Sequence, residues 1–390
     1  MIDYSKALSQ KARDLKPSGI RKFFDMLEGR KGVISLTVGQ PDFATPWHIR
    51  DAGIDSIADG HTFYTSNRGT PEMRRELSKY MERRFDLTYN PETELLVTVG
   101  ASEAIDLAIR ATVDEGDEVI VPMPSFVCYD PLVHMAGGKT VVIETTPEDN
   151  FKLTPEKLRA AITERTKLIV LPYPSNPTGV ILEKEELEAL AEIILETNAV
   201  VLSDEIYAEL TYGKKHCSIA TIPQMKERTI VVNGFSKAYA MTGWRLGYSA
   251  APELLTEAMF KIHQYGVMCA PTVSQYAATE ALRNGDADIE MMKEEYDRRR
   301  KYLVKALNEI GLPCPKPEGA FYVFMQVGHY GLSSEEFCER LLEEQQVAIV
   351  PGNAFGQCGE GYARLSYAYS LEHLKEAVKR MDKFVQSLKK

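Results

Sequence analysis

No two of the six cysteines (128, 217, 269, 314, 338 and 358) form a C-x-x-C pair, and none lies in a Cys/His cluster at metal-binding spacing. No metal site is therefore expected. Thiols scattered so thinly through 390 residues fit a reducing compartment better than a disulfide framework. No apolar run approaches the roughly 18 residues that would suggest a membrane span. The first residues, Met1-Ile-Asp-Tyr-Ser-Lys-Ala7, lack the apolar core of a signal peptide, so the expected location is cytoplasmic. Positive charge is also scarce: 46 Lys and Arg against 56 Asp and Glu give a net charge of -10. This balance argues against nucleic acid or an anionic membrane as a partner. Any anionic ligand must then be held by a few local cations and backbone N–H groups. The chain has no internal repeat and no low-complexity tract.

What remains is an ordinary globular mixture, 44% hydrophobic and 26% charged, long enough for two domains or one large one. The middle of the chain alternates β-branched apolar runs with amphipathic stretches. Strands are expected at Leu95–Val99, Glu118–Val121, Thr140–Ile143, Leu168–Leu171, Val200–Leu202 and Thr229–Val232. Helices are expected over Ser102–Val113, Glu185–Leu195 and Glu253 to about Gln264. The alternation predicts an α/β fold around a mostly parallel sheet, and the continuous apolar runs predict helices covering both faces. After about Asn284 the texture changes. A long charged helix near Ile289–Ile310, strands at Phe321–Val327, Ala348–Val350 and Tyr362–Tyr367, and a last helix predict a smaller α+β domain. The expected division is an N-terminal segment over 1–45 packing on that smaller domain, a large domain over 46–284 and a C-terminal domain over 285–390. The basic run Arg298-Arg299-Arg300-Lys301 is expected to be a solvated helix face rather than a nucleic-acid patch.

The most informative stretch is Asn233-Gly-Phe-Ser-Lys-Ala-Tyr-Ala-Met-Thr-Gly-Trp-Arg-Leu-Gly-Tyr248. It sets Lys237 in a short polar turn with Arg245 eight residues later. An amine that forms a Schiff base and an arginine that holds a phosphate need such closeness. The plain alternative is a surface lysine beside a structural Trp-Arg pair. Gly100-Ala101-Ser102 follows a strand and opens a helix, where free N–H groups and the helix dipole favour a phosphate. Ser102 is equally an ordinary N-cap. Asp204 stands directly after a buried strand, with Tyr207 three residues on. In Pro172-Tyr-Pro-Ser-Asn-Pro-Thr-Gly179, two X-Pro bonds and a terminal glycine fix a turn that aims Asn176. Phe126, in Pro124-Ser-Phe-Val-Cys-Tyr129, suits either a ring-stacking role or the core. Arg364 sits in the otherwise apolar Tyr362-Ala-Arg-Leu-Ser-Tyr367, where a charge needs a partner unless it guards a sheet edge.

Taken together these motifs resemble the pyridoxal-phosphate (PLP) aminotransferases of the aspartate aminotransferase superfamily, fold type I. The likeness runs from about Gly19-Ile20-Arg21 to the final helix. It implies that Lys237 carries the cofactor and shuttles a proton, and that Arg245, Ala101 and Ser102 hold the phosphate. Asp204 would keep the pyridine nitrogen protonated, Tyr207 and Asn176 would donate to the phenolate oxygen, and Phe126 would stack on the ring. Lys237, Asp204 and Tyr207 are thus the expected catalytic residues. Arg364, Asn176 and Gly39 (in Thr37-Val-Gly-Gln-Pro-Asp42) would contact substrate. Tyr64 opens a segment similar to the family's Tyr-x-x-x-x-Gly, whose tyrosine reaches the neighbouring subunit's phosphate. A homodimer with shared active sites is implied.

Two positions depart from the pattern. Phe126 stands where many members carry Trp or Tyr. Gly234 stands where some place a phosphate-binding serine, a role Ser236 is expected to fill. Asp204-Glu-Ile-Tyr-Ala-Glu-Leu-Thr-Tyr212, Ser218-Ile-Ala-Thr221 and His263-Gln-Tyr265 are similar to the Firmicute aminotransferase A group of N-acetyl-LL-diaminopimelate aminotransferases. The implied reaction moves an amino group between an L-amino acid and a 2-oxo acid, with glutamate and 2-oxoglutarate as the common pair. An aromatic or broad-specificity aminotransferase and a PLP carbon–sulfur β-lyase are the alternatives. Gly266-Val-Met-Cys-Ala-Pro-Thr272, which the resemblance places near the partner's substrate pocket, is small and mostly apolar and lacks an arginine for a second carboxylate.

Overall fold

A computed structural model describes residues 2–17, 30 and 32–389; the first motif of the resemblance, Gly19-Ile20-Arg21, lies outside the described residues. After a short strand β1 (Ile34–Ser35), the chain builds its main sheet from seven strands. These are β2 (Leu95–Thr98), β3 (Glu118–Met123), β4 (Lys139–Glu144), β5 (Thr166–Leu171), β6 (Val200–Asp204), β7 (Thr229–Gly234) and β8 (Gly247–Ala250). Their order is β2-β8-β7-β6-β5-β3-β4, and β8 alone runs antiparallel to its neighbours.

The apolar runs are continuous because both faces are covered. Val119 and Val121 of β3, and Leu168 and Val170 of β5, pack with Ile105 and Ala108 of the helix Gly100–Thr112. The alternate residues Ile120, Ile169 and Leu171 pack on the other face with Leu187, Leu190 and Ile194 of the helix Lys184–Leu195. Each such side chain, fully buried, contributes about 1.5–3 kcal/mol. The fold is the expected α/β architecture. The addition is β8, whose Gly-Tyr-Ser-Ala carries no long apolar signal. Gly247 is required there by close approach, since a Cβ would lie 2.4 Å from the Ala101 nitrogen.

The C-terminal part holds β9 (Tyr322–Gln326), β10 (Val347–Ala348), β11 (Val350–Pro351) and β12 (Tyr362–Ser366). Strands β11-β12-β9 form an antiparallel sheet, and β10 pairs instead with β1, in parallel. The expected single strand Ala348–Val350 is therefore two, divided between sheets at Ile349. Leu36 continues the N-terminal pairing: its N–H donates to Ala348 O, and its carbonyl accepts from Ser366 N–H, both at 2.9 Å.

The long helix spans Asp286–Ile310 and stops at Gly311, which has a left-handed φ of 93°. Here the basic run departs from the expected solvated face, because Arg299 and Arg300 are buried. They fall on the apolar stripe of Ile289, Met292, Tyr296, Leu303 and Leu307. Arg299 pairs with Asp42 at 2.7 Å and Glu295 at 2.9 Å, and Arg300 with Asp297 at 2.5 Å. No helix among the described residues is long and apolar enough to cross a membrane.

Candidate active site

The carboxyl ends of β6 and β7, the helix start after β2 and the loop of residues 37–40 converge on one cavity of about 360 Å³. Crevices at the carboxyl ends of strands are where open α/β sheets bind ligands. Every expected site residue except Tyr64 lines it.

Lys237 reaches the cavity from the short helix Phe235–Ala238, directly after β7. Its amine donates to the Gly39 carbonyl at 2.5 Å. Burial, then Arg364 and Arg245, lower its pKa to about 8 against the opposing pull of Asp204. About a tenth of the amine is thus uncharged at pH 7, far more than an ordinary lysine offers as a nucleophile or proton acceptor. Ser236 is buried beside it.

Arg245 adopts a left-handed φ of 52° after the turn Thr242–Trp244, and its guanidinium donates to Thr242 O at 3.1 Å. It presses on Gly100, where a Cβ would lie 2.7 Å from Nη2. Gly100, Ala101 and Ser102 begin a helix whose N-cap, Val99, offers no side-chain cap. A cation beside an uncapped helix N-terminus is a place for an anion.

Asp204, the last residue of β6, is buried. Its Oδ2 accepts from the Tyr129 hydroxyl at 2.7 Å and its Oδ1 from Ile206 N–H at 3.2 Å. Burial pushes its carboxyl pKa up, and these two hydrogen bonds oppose the shift. Phe126 lies edge-on to Tyr129, with ring centroids 6.4 Å apart. The Tyr207 hydroxyl is 2.7 Å from that of Tyr322.

Arg364 is on β12, the middle strand of its sheet, and only 3% exposed, so it does not guard an edge. It donates to Asn176 Oδ1 at 2.9 Å and to the Thr37 carbonyl, while its Nε has no partner. Burial lowers its pKa, yet a guanidinium stays charged in a protein. Among the described residues no carboxylate pairs with it. A buried cation held by neutral acceptors, with an N–H to spare, is prepared for an incoming carboxylate.

Tyr64 is 82% exposed and does not line this chain's cavity. Among the lining residues outside the expected set, Tyr129 and Tyr322 stand out because their hydroxyls bond to Asp204 and Tyr207. Tyr129 closes the same Pro124–Tyr129 motif as Phe126, so its spacing was the available signal. Tyr322 opens an apolar strand, where a tyrosine reads as core.

The family model described as "Aminotransferase class I and II" matches residues 31–381. The chain belongs to this family. As an aminotransferase of this class, the protein uses pyridoxal phosphate. It is 55% identical to "Putative aminotransferase YugH" of Bacillus subtilis (strain 168), across 97% of this chain and 98% of that one. It is 46% identical to the "Probable N-acetyl-LL-diaminopimelate aminotransferase" of the same organism, across 97% and 95%. Identity to the aspartate aminotransferase of Pyrococcus abyssi is 45%, across 98% and 99%. Among solved structures, the aromatic aminotransferase of Pyrococcus horikoshii superposes with a TM-score of 0.90 at 44% identity, covering 94% of this chain and 99% of that one. The aminotransferase site fits PLP on its own chemistry. It offers an amine of lowered pKa, an anion cradle at Arg245 and Gly100, and a buried carboxylate with no cation paired to it among the described residues.

Proposed function

We propose that this cavity transfers an amino group from an L-amino acid to a 2-oxo acid, with glutamate and 2-oxoglutarate as the common pair. The observation that carries the reading is the convergence of Lys237, titrating at about 8, with Arg364, buried without a carboxylate partner among the described residues. PLP, when bound, supplies the electron sink that stabilises negative charge at the substrate Cα. Lys237 is its attachment point. Once a substrate amine had taken its place, Lys237 Nζ would be free to take the Cα proton and return it, as general base and acid. Asp204, a buried carboxylate with no cation paired to it among the described residues, would keep the pyridine nitrogen protonated. Arg245, Ser236 and the N–H groups of Ala101 and Ser102 hold the phosphate. Tyr207 donates to the phenolate oxygen. So does Asn176, whose Oδ1 is engaged by Arg364 and whose amide N–H remains free to face the cofactor. Phe126 stacks on the ring. Arg364 takes the substrate α-carboxylate, and the Gly39 backbone closes over it.

The working unit in this reading is a cytoplasmic homodimer with shared sites. Each subunit would have a cofactor domain over 46–284 and a smaller domain over 285–390. Ile34–Ser35 pairs with the smaller domain. Lys11, by contrast, reaches Met135 O at 3.2 Å and Glu115 at 3.8 Å on the larger one, against the expectation that all of 1–45 packs on the smaller. The support for the dimer is the exposure of three large aromatic side chains, Phe63 at 81%, Tyr64 at 82% and Tyr265 at 88%. Tyr64 would reach the partner's phosphate. Mixing inactive Tyr64→Phe and Lys237→Ala subunits should then restore part of the activity, because one of the two sites regains both residues. Confirmed subunit exchange without restoration would sink the shared site.

Substrate choice follows from charge. Among the described residues lining the cavity, the cations are Lys237, Arg245 and Arg364, each already assigned a task. Val38, Ile105, Ile206 and Pro174 make the walls apolar. Aspartate would set its second carboxylate against these walls, whereas a longer side chain carries its distal group past them. N-acetyl-LL-diaminopimelate, or failing that an aromatic amino acid, should exceed aspartate in kcat/KM by about tenfold or more with 2-oxoglutarate. A donor panel decides this. Aspartate as the best donor by a wide margin would overturn both the pocket argument and the subgroup assignment.

A further inference from the structure

Tyr322 opens β9 in the C-terminal sheet, yet it lines the cofactor cavity. Three other segments meet it there. The Tyr207 hydroxyl, from the turn after β6, lies 2.7 Å from its own. Gly39, from the N-terminal loop, comes so close that a Cβ would stand 2.0 Å from the Tyr322 oxygen. Arg364, from the adjacent β12, lays its guanidinium over the Tyr322 ring, 4.5 Å from the centroid. Both tyrosines are buried, Tyr322 at 1% and Tyr207 at 5% exposure.

A phenol hydroxyl has one proton to give. If Tyr207 donates to the cofactor's phenolate oxygen, the hydrogen bond to Tyr322 must run the other way, with Tyr322 as donor. Burial holds both phenols above their ordinary range, and the neighbouring Tyr322 adds to the shift at Tyr207, so both protons are present at working pH. A hydroxyl that accepts one hydrogen bond donates the next more strongly.

We infer that Tyr322 is a positioning residue for the aminotransferase reaction, donating to Tyr207 and thereby directing the Tyr207 proton onto the cofactor's phenolate oxygen. The inference rests on the roles given above to Lys237 and Tyr207. One side chain then joins the substrate-binding arginine, the N-terminal loop and a cofactor donor. The charged groups facing the hydroxyl pair are Arg364, Asp204 and Lys237, and changing Tyr322 to Phe leaves all three in place.

The test is a pH titration of the bound cofactor's visible absorption, read on PLP-loaded enzyme. A donor on the phenolate lowers the pH of that transition by favouring the form that has lost its proton. Tyr207→Phe should raise the midpoint. Tyr322→Phe should raise it by roughly 0.3–0.7 unit, about what a weakened hydrogen bond supplies. Added to Tyr207→Phe, it should produce no further change. Gly39→Ala, which displaces the Tyr322 hydroxyl, should move the midpoint in the same direction. An unchanged midpoint in Tyr322→Phe overturns the inference, as does an equal shift in the Tyr207→Phe background. A purely structural role would appear as a lowered Tm with the midpoint unmoved. No shift in Tyr207→Phe itself would overturn the donor role of Tyr207, and the inference with it.

Discussion

Lys237→Ala should lower transamination by about 10⁴-fold or more while leaving a folded protein that still holds PLP. A positioned proton-transfer group alone is worth about 10²–10⁴-fold, and in the proposed reaction this amine also attaches the cofactor. What remains after the change explains the retained binding. Arg245 still stands at Gly100, Asp204 still lies buried under its Tyr129 hydrogen bond, and Asn176 is still aimed by its turn. The loss to the fold is small, because the lysine amine makes its hydrogen bond to the Gly39 carbonyl, at the wall of an open cavity. Borohydride reduction of the wild-type holoenzyme, followed by peptide mapping, gives the complementary result: the label should fall on Lys237. A label on another lysine, or a Lys237→Ala enzyme that keeps its turnover, would remove Lys237 from the chemistry.

Arg364→Lys should cost about 10²–10³-fold in kcat/KM for every amino donor, because the α-carboxylate is the part all donors share. A guanidinium presents two parallel N–H donors to a carboxylate, whereas an ammonium acts as a point charge. Breaking a desolvated, hydrogen-bonded charge pair typically costs about 2–5 kcal/mol. The arginine also holds the Asn176 amide and the Thr37 carbonyl in place, and a lysine cannot reach both while meeting the substrate. The ratio of kcat/KM between any two donors should stay within about threefold of wild type, since no side-chain contact is altered. A loss confined to one donor would assign Arg364 to the side-chain end of the substrate instead.

The strands of the main sheet were legible in the sequence because residues buried on both faces leave continuous β-branched runs. Those at Glu118, Thr166, Val200 and Thr229 start within a few residues of the expected places. The short-range motifs were legible for a different reason. Lys237 to Arg245 and Pro172 to Gly179 are short segments whose residue types and spacing can be read without the rest of the chain. Strand β8 was not, since Gly-Tyr-Ser-Ala has no apolar period and pairs because β2 and β7 stand on either side. Arg299 and Arg300 read as solvated because composition reports charge, whereas their burial depends on Asp42 and on the carboxylates one helical turn away.

The same division runs through the site. Residue types and local turns established what chemistry was on offer: an amine, an arginine eight residues from it, a carboxylate after a buried strand and a second guanidinium. Long-range packing alone brought the Gly39 carbonyl to Lys237, 198 residues away, and the Tyr322 hydroxyl to Tyr207, 115 residues away. A tyrosine at the head of an apolar strand looks like core until its partner is placed. Periodicity records which face of an element is buried, but hydrogen-bond partners far apart in the chain are selected only when the sheets and loops close on one another.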